Sequence, residues 1–132
     1  QSQSTSNPAS VSQAAARAAL EGDQACVRQM RTIFKERHDF VVDALNEIAG
    51  VSCIPSQGTF YSFPDMHQVI DALYDVADDV QLAEYLLNQA GVALVPGSAF
   101  GTPGHLRLSY ATHMDNLQNA MERIRGALEN GG

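Results

Sequence analysis

Four short segments of this sequence are richer in glycine, proline and small polar residues than their neighbours. They cover residues 4–8, 58–61, 95–101 and 106–111. In the last segment Arg107 lies within residues 105–110, where apolar and polar residues alternate as in a half-buried strand. A planar guanidinium can form two parallel charge-assisted hydrogen bonds with a carboxylate, a geometry that lysine lacks. Arg107 is therefore a candidate carboxylate-binding residue, although the pattern alone favours a solvent-facing arginine.

The remaining polar residues give weaker chemical signals. The four histidines lack a partner at i,i+4 spacing or a Cys/Asp cluster, so we predict no metal site; they are His38, His67, His105 and His113. Asp75, Asp78 and Asp79 are predicted to form a solvated acidic run that is too irregularly spaced for a calcium loop. Ser98 and Ser109 lack the glycine pattern of a nucleophile elbow.

Composition predicts a single compact domain that binds neither nucleic acid nor an anionic membrane surface. The 132 residues carry a net charge of -7, from 8 basic and 15 acidic side chains, and phosphate-rich partners require a basic surface. No apolar run approaches the roughly 18 residues that span a bilayer. Residues 1–12 lack the basic and apolar regions of a signal peptide. Cys26 and Cys53 have no metal or redox spacing, which predicts reduced, buried thiols in a cytoplasmic protein.

Hydrophobic periodicity predicts an α+β domain, with helices packed on one face of a small mixed or antiparallel sheet. The predicted helices cover residues 11–20, 23–47, 79–89 and 112–128, and residues 66–77 form either a short helix or an ordered loop. The predicted strands cover residues 51–54, 59–63, 92–95 and 105–110. The predicted N-terminal helix caps are Asn7 or Ser10, then Asp23, then Asp78 or Asp79, and finally Thr112 or Asp115. Gly91 is predicted to end the helix over residues 79–89.

Taken together, the four segments resemble the C-terminal third of class I and II pyridoxal-phosphate aminotransferases. The stretches STSNPAS, GTFY, GVALVPGSAFG and GHLRLSYAT carry this resemblance, which is strongest to the bacterial aspartate aminotransferase branch and covers residues 1–128. Each stretch is weak evidence alone, whereas their order and spacing are specific. The resemblance implies a fold-type-I enzyme, with residues 1–22 as an interdomain segment and helix and residues 23–132 as the small C-terminal domain. The start at Gln1 is also what we expect of a segment of a longer chain.

The same resemblance implies roles for individual residues. Arg107 would bind the α-carboxylate of the amino-acid substrate, while Phe60 and Gly58 would lie at the mouth of the active site. Residues 95–101 would lie near the domain interface, although a plain connection between strands is the better explanation of this segment. Ser6 and Asn7 would lie near the subunit boundary of a homodimer. The implied ligands are an amino acid, a 2-oxo acid and the cofactor pyridoxal 5'-phosphate.

The family's reaction requires a lysine that forms a Schiff base with the cofactor, together with an aspartate and a phosphate-binding cup. In relatives these groups precede the segment that resembles residues 1–132. Lys35 is the single lysine here and lies within a long amphipathic helix, so we predict no catalytic residue in this chain and no activity for it alone. Alternatives are an aromatic, alanine or prephenate-type aminotransferase, the effector domain of a transcriptional regulator, or a stand-alone binding module.

Overall fold

A computed structural model describes residues 7–129 and 131, and it divides the chain into two compact units between Thr32 and Ile33. Five α-helices are present in the described residues: α1 (Ser10–Glu21), α2 (Ala25–Asn46), α3 (His67–Ala72), α4 (Asp79–Ala90) and α5 (Met114–Glu129). The strands are β1 (Tyr61–Ser62), β2 (Val95–Pro96) and β3 (Leu106–Ser109), and a 3-10 turn covers Gly97–Phe100. No helix in the described part of the chain is long and apolar enough to cross a membrane.

The first unit contains α1 and the beginning of α2. Alanine-rich α1 begins after Ala9, whose side chain makes no capping hydrogen bond, so the prediction that Asn7 or Ser10 caps this helix is wrong. The predicted cap of α2 is present, because the Asp23 Oδ1 accepts a hydrogen bond of 3.0 Å from the Ala25 N–H. Cys26 is exposed, which corrects the expectation that both thiols are buried.

The second unit has a continuous hydrophobic core to which every helix from α2 to α5 contributes. Its most deeply buried side chains include Leu45, Leu82, Leu86, Leu106 and Ile124, each no more than 2% exposed. Along α4 and α5 the buried residues Leu82 and Leu86, and Leu117, Met121 and Ile124, recur at three- and four-residue spacing, so each of these helices presents one apolar face to the core. In the cap of α4, Asp78 accepts a hydrogen bond from the Gln81 N–H at 2.8 Å, and Gly91 ends the helix in the left-handed conformation, as predicted.

The sheet is antiparallel, with strand order β1-β3-β2, and it confirms the predicted α+β class. Tyr61 pairs with Ser109 on one side of β3, and Val95 pairs with Arg107 on the other. The strands are shorter than predicted: residues 51–54 contribute only an isolated bridge between Ser52 and Asp65. Residues 92–94 lie outside β2, and Pro96 lacks the N–H needed to continue the ladder.

Candidate functional site

The central strand β3 positions Arg107. Leu106 and Leu108 are 1% and 5% exposed and point into the core, whereas Arg107 lies on the opposite face because successive strand residues alternate. Tyr110 continues the buried face beyond the end of β3 and is 1% exposed. The alternation predicted from the sequence therefore fixes the face on which the guanidinium lies.

Two aromatic rings flank the Arg107 guanidinium. Its central carbon lies 4.6 Å from the centre of the Phe100 ring and 5.5 Å from that of Tyr61. Such cation–π contacts are worth about 0.5–1 kcal/mol each at exposed sites. Among the described residues, no carboxylate lies within ion-pair distance of Arg107. The rings therefore hold the side chain while its five N–H donors remain available for a carboxylate from outside these residues.

The turn after β2 places Phe100 beside Arg107. The Gly97 N–H donates to the His105 oxygen at 2.7 Å, and the Thr102 N–H donates to the Gly97 oxygen at 3.0 Å. A Cβ at Gly97 would overlap the Thr102 oxygen, so only glycine fits this close approach. Phe100 carries no separate signal in the sequence, because its contact with Arg107 depends on how this turn folds over the sheet.

Asp79 connects the same turn to the beginning of α4. The buried carboxylate Oδ2 accepts a hydrogen bond of 2.7 Å from the Ser98 N–H. Burial alone would raise the pKa of Asp79, but hydrogen bonds from backbone N–H groups, with that of Ser98 first, outweigh burial and lower it. The sequence predicted Asp79 as an alternative cap for α4 and as part of a solvated acidic run. The second prediction is wrong because Asp79 is 2% exposed and bonds the turn.

The segment before β1 contains the other predicted site residues. Phe60 is half exposed, and its ring meets the edge of Tyr61 at 5.5 Å between centroids. Thr59 has a φ of +74°, which is strained for a β-branched residue. The Tyr110 N–H donates to the Phe60 oxygen at 2.9 Å, and the Tyr110 hydroxyl donates to the Thr59 oxygen at 3.2 Å. Tyr110, a buried core residue, therefore holds this strained segment beside Tyr61.

Gly58 has neither a left-handed backbone conformation nor a close contact that would require glycine. The left-handed conformation falls on Thr59, and a Cβ at Gly58 would meet no atom within 4 Å. The oxygen of Gly58 accepts a hydrogen bond of 2.9 Å from the Ser56 hydroxyl. Gly58 is exposed beside Phe60, so its predicted place near a binding site stays a prediction, whereas its conformation requires no glycine.

A second polar cluster lies further along the same sheet. Asp65, His67 and His105 each offer one ligand atom, and these atoms lie within 4.8 Å of one another. Hydrogen bonding to His67 lowers the pKa of the Asp65 carboxyl, first through the backbone N–H of that residue and then through its ring. From sequence spacing we predicted that His67 and His105 belong to no cluster with an aspartate. That prediction is wrong because an antiparallel bridge between Asp65 and His105 brings two distant segments together.

Comparisons with known proteins identify the family. Residues 1–124 match the family model for Aminotransferase class I and II. The chain belongs to this family. It is 51% identical to an aspartate/prephenate aminotransferase of Nitrosomonas europaea and 45% identical to an aspartate aminotransferase of Geobacillus stearothermophilus, covering 97% of this chain in both cases. The crystal structure of the Rhizobium meliloti aspartate aminotransferase superposes with a TM-score of 0.86 at 41% identity over 97% of this chain.

This member of the class I and II aminotransferases spans about one third of the length of its relatives. It covers 34% of the Nitrosomonas protein, 32% of the Geobacillus protein and 33% of the Rhizobium chain. The predicted resemblance is therefore confirmed.

The described residues do not fit the cofactor that this aminotransferase family implies. Pyridoxal 5'-phosphate needs a lysine for its aldehyde, and Lys35 is the single lysine of the sequence. Lys35 is exposed on α2, where its Nζ lies 2.6 Å from the Asp39 Oδ2, as expected for a surface ion pair. Among the described residues, the Arg107 guanidinium offers its N–H donors to a carboxylate, and its two ring neighbours, Tyr61 and Phe100, carry no amine that could react with an aldehyde.

The two residues predicted to contact a partner subunit, Ser6 and Asn7, lie near the N-terminus. Asn7 is exposed, as a residue that contacts another subunit would be in an isolated chain. Ser6 lies outside the described residues. The predicted contact of both residues with a partner's active site stays a prediction.

Proposed function

We propose that this chain is the C-terminal part of a pyridoxal-phosphate-dependent aminotransferase that transfers an amino group between aspartate and a 2-oxo acid. In this proposal Arg107 binds the α-carboxylate of either substrate. The observation that carries it is a guanidinium held by Tyr61 and Phe100 without an acidic partner among the described residues. Family membership and the names of the relatives support aspartate as the amino donor.

Arg107 would act by binding and orientation. Two parallel hydrogen bonds from its guanidinium to the carboxylate fix the rotation of the substrate and so direct the bond that must be cleaved. Phe60, beside Gly58, would cover the bound substrate and exclude water when this domain closes on the rest of the protein. The cofactor would withdraw electrons from the bound amino acid, and it would be held by residues outside this chain.

The proposal extends to assembly and location. Residues 1–22 would connect the small domain, residues 23–132, to a large domain of the same polypeptide. Asn7 and Ser6 would approach the active site of the partner in a homodimer. Free Cys26 and Cys53 support a reducing, cytoplasmic location. The isolated chain would be inactive, so titration with pyridoxal 5'-phosphate should give no saturable absorbance change that maps to Lys35 by borohydride reduction.

The decisive experiment replaces Arg107 in the full-length parent. Loss of one partner of a buried charge pair costs about 2–5 kcal/mol, so Arg107→Leu should lower kcat/KM for aspartate by roughly 30- to 5,000-fold. Arg107→Lys should recover only part of this loss, because an ammonium cannot form the bidentate pair. Arg123→Leu removes the same charge from an exposed face of α5 and serves as the control. An unchanged kcat/KM and KM in Arg107→Leu would refute the assignment.

A second candidate is a prephenate aminotransferase. The relative that is 51% identical is named as an aspartate/prephenate enzyme, which is the observation in its favour. Solved structures named as alanine and aromatic aminotransferases match 86% and 85% of this chain, so donors of those types are further candidates. Measuring kcat/KM of the full-length parent with each amino donor and acceptor distinguishes these candidate activities. Saturable amino-acid binding without turnover would instead indicate the effector domain of a regulator.

A further inference from the structure

Asp65, His67 and His105 form a cluster with the donor atoms of a transition-metal site. One ligand atom from each residue lies within 4.8 Å of the other two. The His67 Nδ1 is already 2.7 Å from the Asp65 Oδ1. Two imidazole nitrogens and one carboxylate oxygen are donors that zinc and its neighbours in the first transition row accept, whereas magnesium and calcium prefer oxygen alone.

Backbone hydrogen bonds fix the three residues relative to one another. The Asp65 N–H donates to the Ser52 oxygen at 2.8 Å, and the Met66 N–H donates to the Gly104 oxygen at 2.8 Å. The Asp65 carboxylate also accepts a bond of 2.9 Å from the His67 N–H. The beginning of α3 is thereby tied to the loop that carries His105. Preorganised ligands of this kind lose little conformational entropy on binding an ion.

The surroundings of His105 leave one ring nitrogen for a metal. The Nδ1 lies 3.2 Å from the Pro103 oxygen, and because a carbonyl only accepts, Nδ1 carries the proton in this bond. The Nε2 lone pair is then free. Metal-binding histidines commonly donate their other N–H to a backbone carbonyl in this way. The Phe63 ring stacks on His105 at 5.2 Å with an angle of 21°, which fixes the orientation of the imidazole.

Gly104 makes room for His67. Its φ is +76°, and a Cβ at this position would overlap the His67 imidazole. The glycine therefore permits both the turn of the loop and the approach of the ring to its backbone. The His67 ring meets that of His105 nearly at a right angle, with 5.6 Å between centroids.

We propose that Asp65, His67 and His105 bind one divalent transition-metal ion of the zinc type, with water completing its coordination. In a tetrahedral zinc site the ligand atoms are about 3.3 Å apart, from Zn–N and Zn–O distances near 2.0–2.1 Å. On binding, the distance between the Asp65 Oδ1 and the His67 Nδ1 must therefore increase from 2.7 Å to about this value. The other two distances between ligand atoms, each at most 4.8 Å, must decrease to it. In the unbound chain the His67 Nδ1–H donates to the Asp65 Oδ1, so coordination through Nδ1 requires this hydrogen bond to break and the ring to carry its proton on Nε2.

A bound ion would reinforce the link between two segments that two backbone hydrogen bonds already join, from the Met66 N–H to the Gly104 oxygen and from the Leu106 N–H to the Pro64 oxygen. It would connect the beginning of α3 to residue 105, two positions before Arg107 on the same face of the sheet. Since the folded chain alone presents the three ligands together, zinc should raise the melting temperature of the chain. The proposal does not depend on the aminotransferase activity.

Isothermal titration calorimetry of the untagged 132-residue chain with zinc chloride tests the site. Every titration should use the Cys26→Ser variant as its background, because an exposed thiol can itself bind zinc. We expect one ion per chain and a rise in melting temperature. His67→Ala and His105→Ala should each weaken binding by at least about tenfold, since loss even of a group that orients a ligand costs about 10–100-fold. His113→Ala, which removes an exposed histidine elsewhere, should leave the affinity within twofold.

Circular dichroism spectra of the variants exclude loss of fold as the cause of weaker binding. His67 is more than half exposed, so His67→Ala should leave the fold intact. Absence of saturable binding at millimolar zinc would overturn the proposal. Equal loss of affinity in His113→Ala and His67→Ala would also overturn it, because binding would then belong to scattered surface histidines.

Discussion

Replacing Asp79 by asparagine should destabilise the second unit and loosen the turn that carries Phe100. Asp79 is 2% exposed, and its carboxylate accepts a hydrogen bond from the Ser98 N–H at 2.7 Å. Backbone N–H groups of Gly104 and of Asp79 itself also favour the charged form and lower its pKa. Asparagine keeps the shape and one acceptor oxygen. It removes the charge and introduces an amide N–H₂ that needs partners among these donors.

The magnitude follows from the loss of charge in a buried hydrogen-bond network. Hydrogen bonds to a charged group contribute about 1.5–3 kcal/mol net, so the free energy of unfolding should fall by about this amount. An unfolding entropy near 2.1 cal/mol/K per residue makes the corresponding fall in melting temperature roughly 5–11 °C for a chain of this length. The negative charge at the first turn of α4 adds a smaller contribution through the helix dipole.

The effect should depend on pH in one direction. The pKa of Asp79 is lowered in the folded state, so its contribution is complete above the unfolded value near 3.8 and is lost as pH falls through the lower folded value. The difference in unfolding free energy between the wild-type chain and the Asp79→Asn variant should therefore be constant at neutral pH. It should shrink only in acid below the ordinary aspartate pKa, as the folded carboxylate takes up a proton.

Urea unfolding of the chain, followed by circular dichroism at several pH values, measures both effects. Asp78→Asn is the matched control, since Asp78 is the adjacent exposed residue and its bond to the Gln81 N–H can be made equally by asparagine. We expect a change within about 0.5 kcal/mol for this control. Equal unfolding free energies for Asp79→Asn and Asp78→Asn would refute the argument, as would a difference between wild type and Asp79→Asn that grows in acid.

Three further predictions concern packing, a loop and a helix end, and each is measured by urea unfolding. Leu86→Ala should cost about 2–5 kcal/mol because Leu86 is fully buried, whereas Leu87→Ala, half exposed on the same helix, should cost far less. Asn46→Ala should cost about 1–3 kcal/mol and speed amide exchange at Cys53, since the Asn46 side chain bonds both the N–H and the oxygen of Cys53. Gly91→Ala should cost about 1–2 kcal/mol because its φ is +62°, while Gly126→Ala, within α5, should stabilise the chain.

The features predicted correctly from sequence depend on short stretches of chain. Asp78 and Gly91 mark the ends of α4 because a cap and a left-handed residue act within one helical turn. The alternation at residues 105–110 likewise predicted the buried and exposed faces of β3. Arg107 could be identified from the sequence because the alternation and the family motif that mark it both lie in the residues directly next to it.

Other features could not be predicted because they depend on contacts between distant segments. Phe100 reaches Arg107 through a folded turn, and Asp79 bonds a backbone N–H nineteen positions away. Helix capping explained Asp79 adequately, so no signal in the sequence pointed to a second role. The strained residue before β1 is Thr59 although glycine precedes it, since Tyr110 binds the Thr59 and Phe60 oxygens from the core. Tertiary contacts therefore decided a conformation that local preference would have assigned to Gly58.

The loop between β2 and β3 connects the two sites proposed here. Its first half places Phe100 against Arg107, and its second half places Gly104 against His67. Asp79 contacts backbone N–H groups in both halves, those of Ser98 and Gly104. A single buried carboxylate on α4 thus supports both the proposed carboxylate-binding face and the proposed metal ligands. Loosening the loop at Asp79 should weaken both sites, whereas loss of His67 removes a metal ligand and leaves the rings around Arg107 in place.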